Sequence, residues 1–372
     1  PIIDEVEILI AAPAEAVVQQ LSALPGLALS ETQQQHSTWQ LDEKLKIVAH
    51  SCEPKDFYAQ LFATTGAAPF IDKFNAAGGA SFIKEAVSEE AIFSAADMAF
   101  IPPCLREGGK EIDLAKNKQL PELITPADIK GIIHSHSNWS DGESSLKEMA
   151  LAAKAKGFEY IVISDHSRTA FYANGLQIER VLQQHAEIDA LNKELAPFKI
   201  FKSIESDILN DGALDYPDEI LAKFDLVIAS VHANLKMTEE KAMARLLKAI
   251  ENPYTTILGH MTGRLLLSRN GYPVDHKAII DACAANNVVI ELNAHPRRLD
   301  IDWTWLPYAI EKNVLISIDP DAHSIQGFDD VKYGTLAAQK GGITKANNLS
   351  SYTVDMLETY LQQRKQLKNI HS

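Results

Sequence analysis

Residues 130–167 read KGIIHSHSNWSDGESSLKEMALAAKAKGFEYIVISDHS. The apolar run Gly131-Ile132-Ile133 predicts a short buried strand that closes on His134-Ser135-His136. Histidines at i and i+2 face the same side of a strand, so both imidazoles can meet one cation. Asp141 follows in a turn, Ser140-Asp141-Gly142, and a helical pattern runs from Ser144 to Lys156. A second β-type run, Tyr160 to Ile163, ends in Ser164-Asp165-His166. Strand, ligand-bearing loop, helix and strand make a βαβ unit with polar residues at the carboxyl ends of its strands. That is where α/β proteins hold their chemistry. One histidine at a strand end is ordinarily a hydrogen-bonding group, so repetition has to decide the reading.

The pattern does repeat towards the C-terminus. Strand-like runs Phe198–Ile208, Phe224–Val231, Tyr254–Gly259, Val288–Leu292 and Val314–Ile318 carry or lead to Glu205, His232, His260, Asn293 and Asp321-Ala322-His323. Helical patterns intervene at Leu176–Leu195, Glu239–Ile250, Asp275–Ala285 and Thr304–Lys312. Seven nearly continuous apolar strands, each followed by a helix, predict a closed or nearly closed parallel barrel, with an open doubly wound sheet as the alternative. The barrel is preferred because only a ring converges ligands from almost every strand end on one point. A loop and a helix over Val354–Lys368 finish the chain.

Towards the N-terminus the pattern is different. Ile2 to about Ala96 reads as α+β: a strand at Val6–Ile10, a helix at Pro13–Leu24, a hairpin over Ser37–Ser51, and short helices at Asp56–Phe62 and Phe70–Ala77. Glu5 and Glu7 alternate on the first strand, a pair that could hold Mg²⁺ but is ordinarily a solvated face. Ala96 to Asp128 mixes Pro, Gly and charge without periodicity and reads as a linker packing on both neighbours. The boundaries expected are 1–95, linker 96–128, barrel 129–345 and C-terminal helix 346–372.

Composition bounds the rest. The 372 residues are 46% hydrophobic and 23% charged, as in an ordinary globular protein. No apolar run reaches membrane-spanning length, and no signal pattern opens the chain. Three scattered cysteines, Cys52, Cys104 and Cys283, read as reduced thiols and point to the cytoplasm. The net charge of −15 argues against a broad grip on duplex DNA. It leaves room for a nucleic-acid end entering a pocket whose metals invert the local charge. The chain opens on Pro1 rather than Met, which suggests a piece of a longer protein.

Collected together, the strand ends supply His134, His136, Asp141, His166, Glu205, His232, His260, Asp321 and His323, including six of the chain's twelve histidines. Converging buried imidazoles would leave one another unsatisfied unless they share cations. Nine N/O donors exceed one tetrahedral Zn²⁺ and suit two or three ions, Zn²⁺ or Mn²⁺, with Fe as a further candidate. A cysteine-free cluster with bridging carboxylates fits hydrolysis by a metal-activated water while neighbouring ions clamp phosphoryl oxygens. Asp165 is placed either to orient a ligand or to cap a turn. His185, His276 and His371 fall on helical or terminal positions and read as solvated.

The motifs HSHSNWSDG, SDHS, SIESDILNDGALDYPDEI, ASVHANL, LGHMTGRLLL, ELNAHPRRLDIDW and DPDAHS resemble those of the PHP (polymerase and histidinol phosphatase) family. They are most similar to the PHP domain at the carboxyl end of bacterial family X DNA polymerases. The resemblance runs from about Ile101 to the C-terminus, and the segment IPPCLREGGKEIDLAKNKQLPELI is typical of that group. It implies a distorted (βα)₇ barrel of TIM type with a trinuclear site. His134, His136, Glu205 and Asp321 would hold the first ion. Glu205 would bridge to a second held by His232 and His260, with the catalytic metal-bound water at this bridged site. Asp141, His166 and His323 would hold the third. The implied activity is Mn²⁺-dependent phosphoester hydrolysis at DNA 3′ ends. His295 departs from the family's more usual Asn and adds a candidate phosphate contact or extra ligand. Arg264, Arg269, Arg297 and Arg298, in loops after the fifth and sixth strands, are further candidates for holding phosphate, since guanidinium binds it bidentately.

The first hundred residues resemble the palm and thumb of the same polymerases more weakly. The positions matching the palm's three carboxylates are Glu5, Glu7 and Lys44, and a lysine there puts a cation where a cation should bind. Thr65-Gly66-Ala67-Ala68-Pro69 replaces the family's aromatic-Thr-Gly-Ser turn, and polymerisation is expected to be lost. The function expected is metal-dependent phosphoesterase action on DNA 3′ ends. The alternatives are a phosphatase of small phosphomonoesters and a non-catalytic module whose metals only stabilise the barrel. No membrane partner is expected.

Overall fold

The computed structural model describes residues 3–42, 45–84 and 86–370. Lys44 and His371 lie outside the described residues. The chain forms two compact units, Pro1–Pro121 and Glu122–Ser372.

In the first unit, β1 (Glu5–Ile10), β2 (Leu27–Thr32), β3 (His36–Leu41) and β4 (Leu45–Ser51) make a sheet in the order β1-β4-β3-β2. β1 runs parallel to β4, a pairing that needs a crossover, and helix Ala14–Ser22 lies within it. That helix buries Val17 against Trp39 and Ala49. The hairpin expected over Ser37–Ser51 forms as β3 and β4. β2 has no counterpart in the sequence reading, because five of its six residues are exposed and its apolar alternation stops at Leu29. A separate aromatic core gathers Phe62, Phe70, Phe74 and Phe93. The segment read as a linker contributes Ile101, Ile112 and Ala115 to that core. It also buries Arg106, whose Nη1 lies 2.5 Å from Glu89 Oε1 and whose guanidinium sits 5.2–5.5 Å from the rings of Phe62, Phe93 and Phe100. A short helix and single turns carry these contacts, so no period marks them in the sequence.

The second unit is mixed α/β with parallel sheets. Its strands are β5 (Gly131–Ser135), β6 (Tyr160–Ile163), β7 (Lys199–Lys202), β8 (Glu205–Asp207), β9 (Ile228–Ser230), β10 (Ile257–Leu258), β11 (Val289–Asn293) and β12 (Ile316–Asp319). They pair as β5-β6-β7 and β12-β11-β10-β9-β8, every pair parallel. Parallel bridges His166↔Glu205 and Ser135↔Ala322 join the two sheets at both margins. The single strand expected over Phe198–Ile208 breaks at Ser203-Ile204, and its halves pair in different sheets. The strands are buried throughout, apart from the two lysines of β7, as parallel strands covered on both faces must be. Helix Val354–Leu367 lies at the amino ends of β10 and β11: Arg364 donates to the carbonyls of Pro253, Thr255 and Asn287. The carboxyl ends are left to the polar loops.

Candidate metal centre

β5 enters the site with a distortion. His134 has φ 60°, and the ladder with β6 shifts register between Ile132 and Ser135. Plain strand alternation is therefore not what aims both imidazoles inward. A local kink does so, with ring centroids 5.3 Å apart for His134 and His136. Asp321, just past β12, is also left-handed at φ 52°. Two side chains that must reach the centre both sit on strained backbone.

Glu205, at the start of β8 and 1% exposed, is the hub. Its Oε1 lies 3.0 Å from His260 Nε2, 3.1 Å from His232 Nε2 and 3.3 Å from His134 Nε2. Its Oε2 lies 3.0 Å from His166 Nδ1 and 3.6 Å from His136 Nε2. Asp321 Oδ1 is 3.2 Å from His136 Nε2 and 3.5 Å from His134 Nε2. Asp141 lies 3.5 Å from His323 Nε2, 3.7 Å from His166 Nε2 and 3.9 Å from His136 Nδ1. All nine residues picked from the strand ends therefore meet in one place. Among the described residues, donor atoms gather as His134-His136-Asp321, His166-Glu205-His232 and His136-Asp141-His166-His323, each within 4.8 Å.

The spacing suits cations between the side chains. Two donors each about 2.0–2.2 Å from one ion stand roughly 3.0–3.6 Å apart. Buried His134 Nε2, His136 Nδ1, His166 Nδ1 and Glu205 Oε2 have no hydrogen-bond partner. Buried polar atoms are rarely left so, and a divalent ion is the partner this donor set would accept. Charge is distributed unevenly across the cluster. Burial raises Glu205 and Asp321, yet the surrounding imidazoles hold both well below the usual carboxylate range. Burial and the neighbouring His323 and His166 push His136 down to about 3. His232 is depressed by burial but carried up to about 10 by Glu205 and Asp207. The raised His232 and the lowered carboxylates belong to one ion-pair network, while His136 answers to burial and its imidazole neighbours.

Two carboxylates escaped the sequence reading. Glu291, buried in β11, lies 2.5 Å from His134 Nδ1 and accepts from His260 N at 2.6 Å. Asp207, two residues from Glu205, bonds His232 Nδ1 and accepts from Thr169 Oγ1 at 2.7 Å. Both hold clustered imidazoles by their Nδ1 atoms, in the manner that orients a metal-binding ring. For Glu291 the available signal is a carboxylate inside an otherwise apolar strand, which no solvated face explains; Asp207, in the strand Glu-Ser-Asp, offers no such contrast. Asp165 accepts from Ser137 N (2.8 Å), Ser140 Oγ (2.6 Å) and Gln184 Nε2 (2.6 Å), so it organises the turn before Asp141.

The arginines divide. Arg298 Nε lies 3.4 Å from Asp321 Oδ2, at the cluster. Arg264 is committed within its loops: it donates to the carbonyls of Arg298 and Leu299 and pairs with Asp302 at 2.8 Å. Arg269 donates to Gly263 O at 2.8 and 3.0 Å. Arg297 is exposed, and its amide donates to His295 Nδ1 at 3.2 Å. His295 belongs to none of the clustered groups found among the described residues. His185, expected to be solvated, is buried against Phe224, and burial lowers it to about 4. His276 stacks on Trp305 at 4.6 Å. In the first unit, Glu5 pairs with Lys46 and Glu7 with His50, each at 2.7 Å across β1 and β4.

Residues 133–295 match the family model described as PHP domain, so the chain carries a PHP domain there. The chain is 42% identical over 280 residues to "DNA polymerase/3'-5' exonuclease PolX" of Bacillus subtilis strain 168, a match covering 75% of this chain and 49% of that protein. It is 29% identical over 167 residues to a "Probable phosphatase" of Acetivibrio thermocellus, covering 44% of this chain and 64% of that one. The chain thus spans about half the length of the first relative and less than two thirds of the second. A solved histidinol phosphate phosphatase from Lactococcus lactis, complexed with zinc, L-histidinol and phosphate, superposes with a TM-score of 0.44 at 21% identity, over 58% of this chain and 95% of that one.

Proposed function

We propose that this chain is a metal-dependent phosphoesterase acting on DNA 3′ ends, by 3′–5′ exonuclease or related end-processing chemistry. The convergence of five imidazoles on the buried carboxylate of Glu205 carries the reading. The likeness to an exonuclease-bearing polymerase over 75% of the chain supports the substrate class. The parallel pairings and the two bridges support a distorted (βα)₇ barrel over 129–345, followed by the helical segment 346–372.

His134, His136, Glu205 and Asp321 would hold one divalent ion, Glu205 with His232 and His260 a second, and Asp141, His166 and His323 a third. Mn²⁺ or Zn²⁺, with Fe as a further candidate, would there lower the pKa of water and neutralise phosphoryl charge. The protein does the rest. Glu205 places one anion between opposed imidazoles and fixes their separation. Glu291 and Asp207 hold His134 and His232 in the ring orientation that turns Nε2 inward. Arg298, beside Asp321, is the guanidinium best placed to meet a phosphoryl oxygen. Arg269, Arg297 and His295 remain candidates for the flanking phosphate.

Residues 1–95 are proposed as a polymerase palm and thumb relic, joined by segment 96–128. Its carboxylates Glu5 and Glu7 are each paired with a basic side chain, Lys46 and His50, which supports loss of polymerisation. The site of action is proposed to be the cytoplasm; no helix among the described residues is long and apolar enough to cross a membrane. Hydrolysis of small phosphomonoesters is the second reading, favoured by the likeness to probable phosphatases. An EDTA-stripped protein resupplied with Mn²⁺ should release nucleotides from a 3′-labelled oligonucleotide faster than it hydrolyses p-nitrophenyl phosphate. The reverse order would favour the second reading.

A further inference from the structure

Between β6 and the following helix, the loop Ser167–Leu176 is closed at its base by a parallel bridge between those two residues. Ser167 N donates to Glu205 O at 3.1 Å and Leu176 N to His166 O at 2.8 Å, so the loop hangs from two of the metal-site residues. Gly175 passes so close to Ser167 O that an added Cβ would stand 1.9 Å from it. Thr169 pins the loop a third time, through its amide to Asp215 at 2.7 Å and its hydroxyl to Asp207 at 2.7 Å.

What this anchored loop displays is unusual. Its tip buries the small residues Ala170 and Ala173, at 0% and 1% exposure. It turns Phe171 and Tyr172 outward, at 82% and 72% exposure. A fold that only needed the loop packed would place them the other way round. The Tyr172 ring centroid lies 6.2 Å from that of His166, at the edge of the metal cluster.

We propose that Phe171 and Tyr172 form a stacking platform for a nucleobase at the DNA end whose phosphoester enters the cluster. This rests on the phosphoesterase reading of the same site and adds how the strand end is gripped. Planar aromatic faces suit every base alike, because stacking reads no hydrogen-bond pattern. An activity that removes successive nucleotides needs that tolerance. It also supplies grip that does not depend on phosphate neutralisation, in a chain of net charge −15.

The test is a cycle between the base and the ring. Single-stranded oligonucleotides ending in a normal 3′ nucleotide or in an abasic 3′ residue are compared as substrates. The proteins are the wild type, Tyr172→Phe and the double variant Phe171→Ala/Tyr172→Ala, with metal content measured for each. Wild type and Tyr172→Phe are expected to show a KM about tenfold lower for the normal end. The double variant is expected to treat both ends alike at full metal content. A wild type that hydrolyses DNA ends but ignores the base, or a double variant that keeps the preference, overturns the platform and leaves the nuclease reading intact. A wild type inactive on both oligonucleotides but active on p-nitrophenyl phosphate overturns both.

Discussion

Glu291 shows how much of the site lies behind the clustered imidazoles. One carboxylate serves His134 through its side chain and His260 through its backbone. Glu291→Gln keeps the shape but replaces one acceptor oxygen with an amide donor, facing either the His134 ring or the His260 amide. Bound metal measured after dialysis should fall by about 10–100-fold in affinity, with hydrolysis falling alongside. Undiminished metal affinity would show that His134 needs no orienting partner. The nine clustered residues were legible because ligand-type residues recur at strand ends, a pattern that survives without coordinates. Glu291 and Asp207 were not, because what identifies them is a neighbour's Nδ1, and sequence order says nothing about which ring faces which carboxylate.

At the scale of elements, the loops after β10 and β11 are tied together by Arg264. Its guanidinium meets two carbonyls, of Arg298 and Leu299, and the carboxylate of Asp302. Arg264→Ala removes the guanidinium donor from both carbonyls and from Asp302 Oδ2, leaving Asp302 only its Thr304 bonds, so stability in urea should drop by about 2 kcal/mol. Arg264→Lys should restore little of it, since an ammonium cannot reproduce the planar fork. Full rescue by lysine would mean that charge alone mattered. Sequence reading placed this arginine at a phosphate because it sees residue type and loop position, not the carbonyls the fold brings round. The same blindness merged β7 and β8 into one strand. Their run is apolar enough to read as continuous, while the break at Ser203-Ile204 follows from pairing with different neighbours.

For the molecule as a whole, the parallel α/β character of the second unit was legible from alternating apolar runs and helical periods. The first unit was read less completely. β2 is exposed at five of its six positions, and the core around Arg106 joins short helices to the segment 96–121, whose turns carry no period. That unit also bears on polymerisation. With Glu5 and Glu7 each held 2.7 Å from a basic side chain of β4, no nucleotide incorporation is expected with Mg²⁺ or Mn²⁺. Template-directed primer extension that disappears in Glu7→Ala would contradict this.

The central claim is that Glu205 joins the two halves of a hydrolytic metal cluster. Without that shared anion, divalent ions held on either side would repel one another and bind more weakly. The direct measurement is nucleotide release from a 3′-labelled oligonucleotide by EDTA-stripped wild type and Glu205→Ala, each resupplied with Mn²⁺ and assayed for bound metal. Wild type should recover, whereas Glu205→Ala should retain less metal and lose on the order of 10³-fold in rate. Wild-type hydrolysis by Glu205→Ala would place the activity elsewhere.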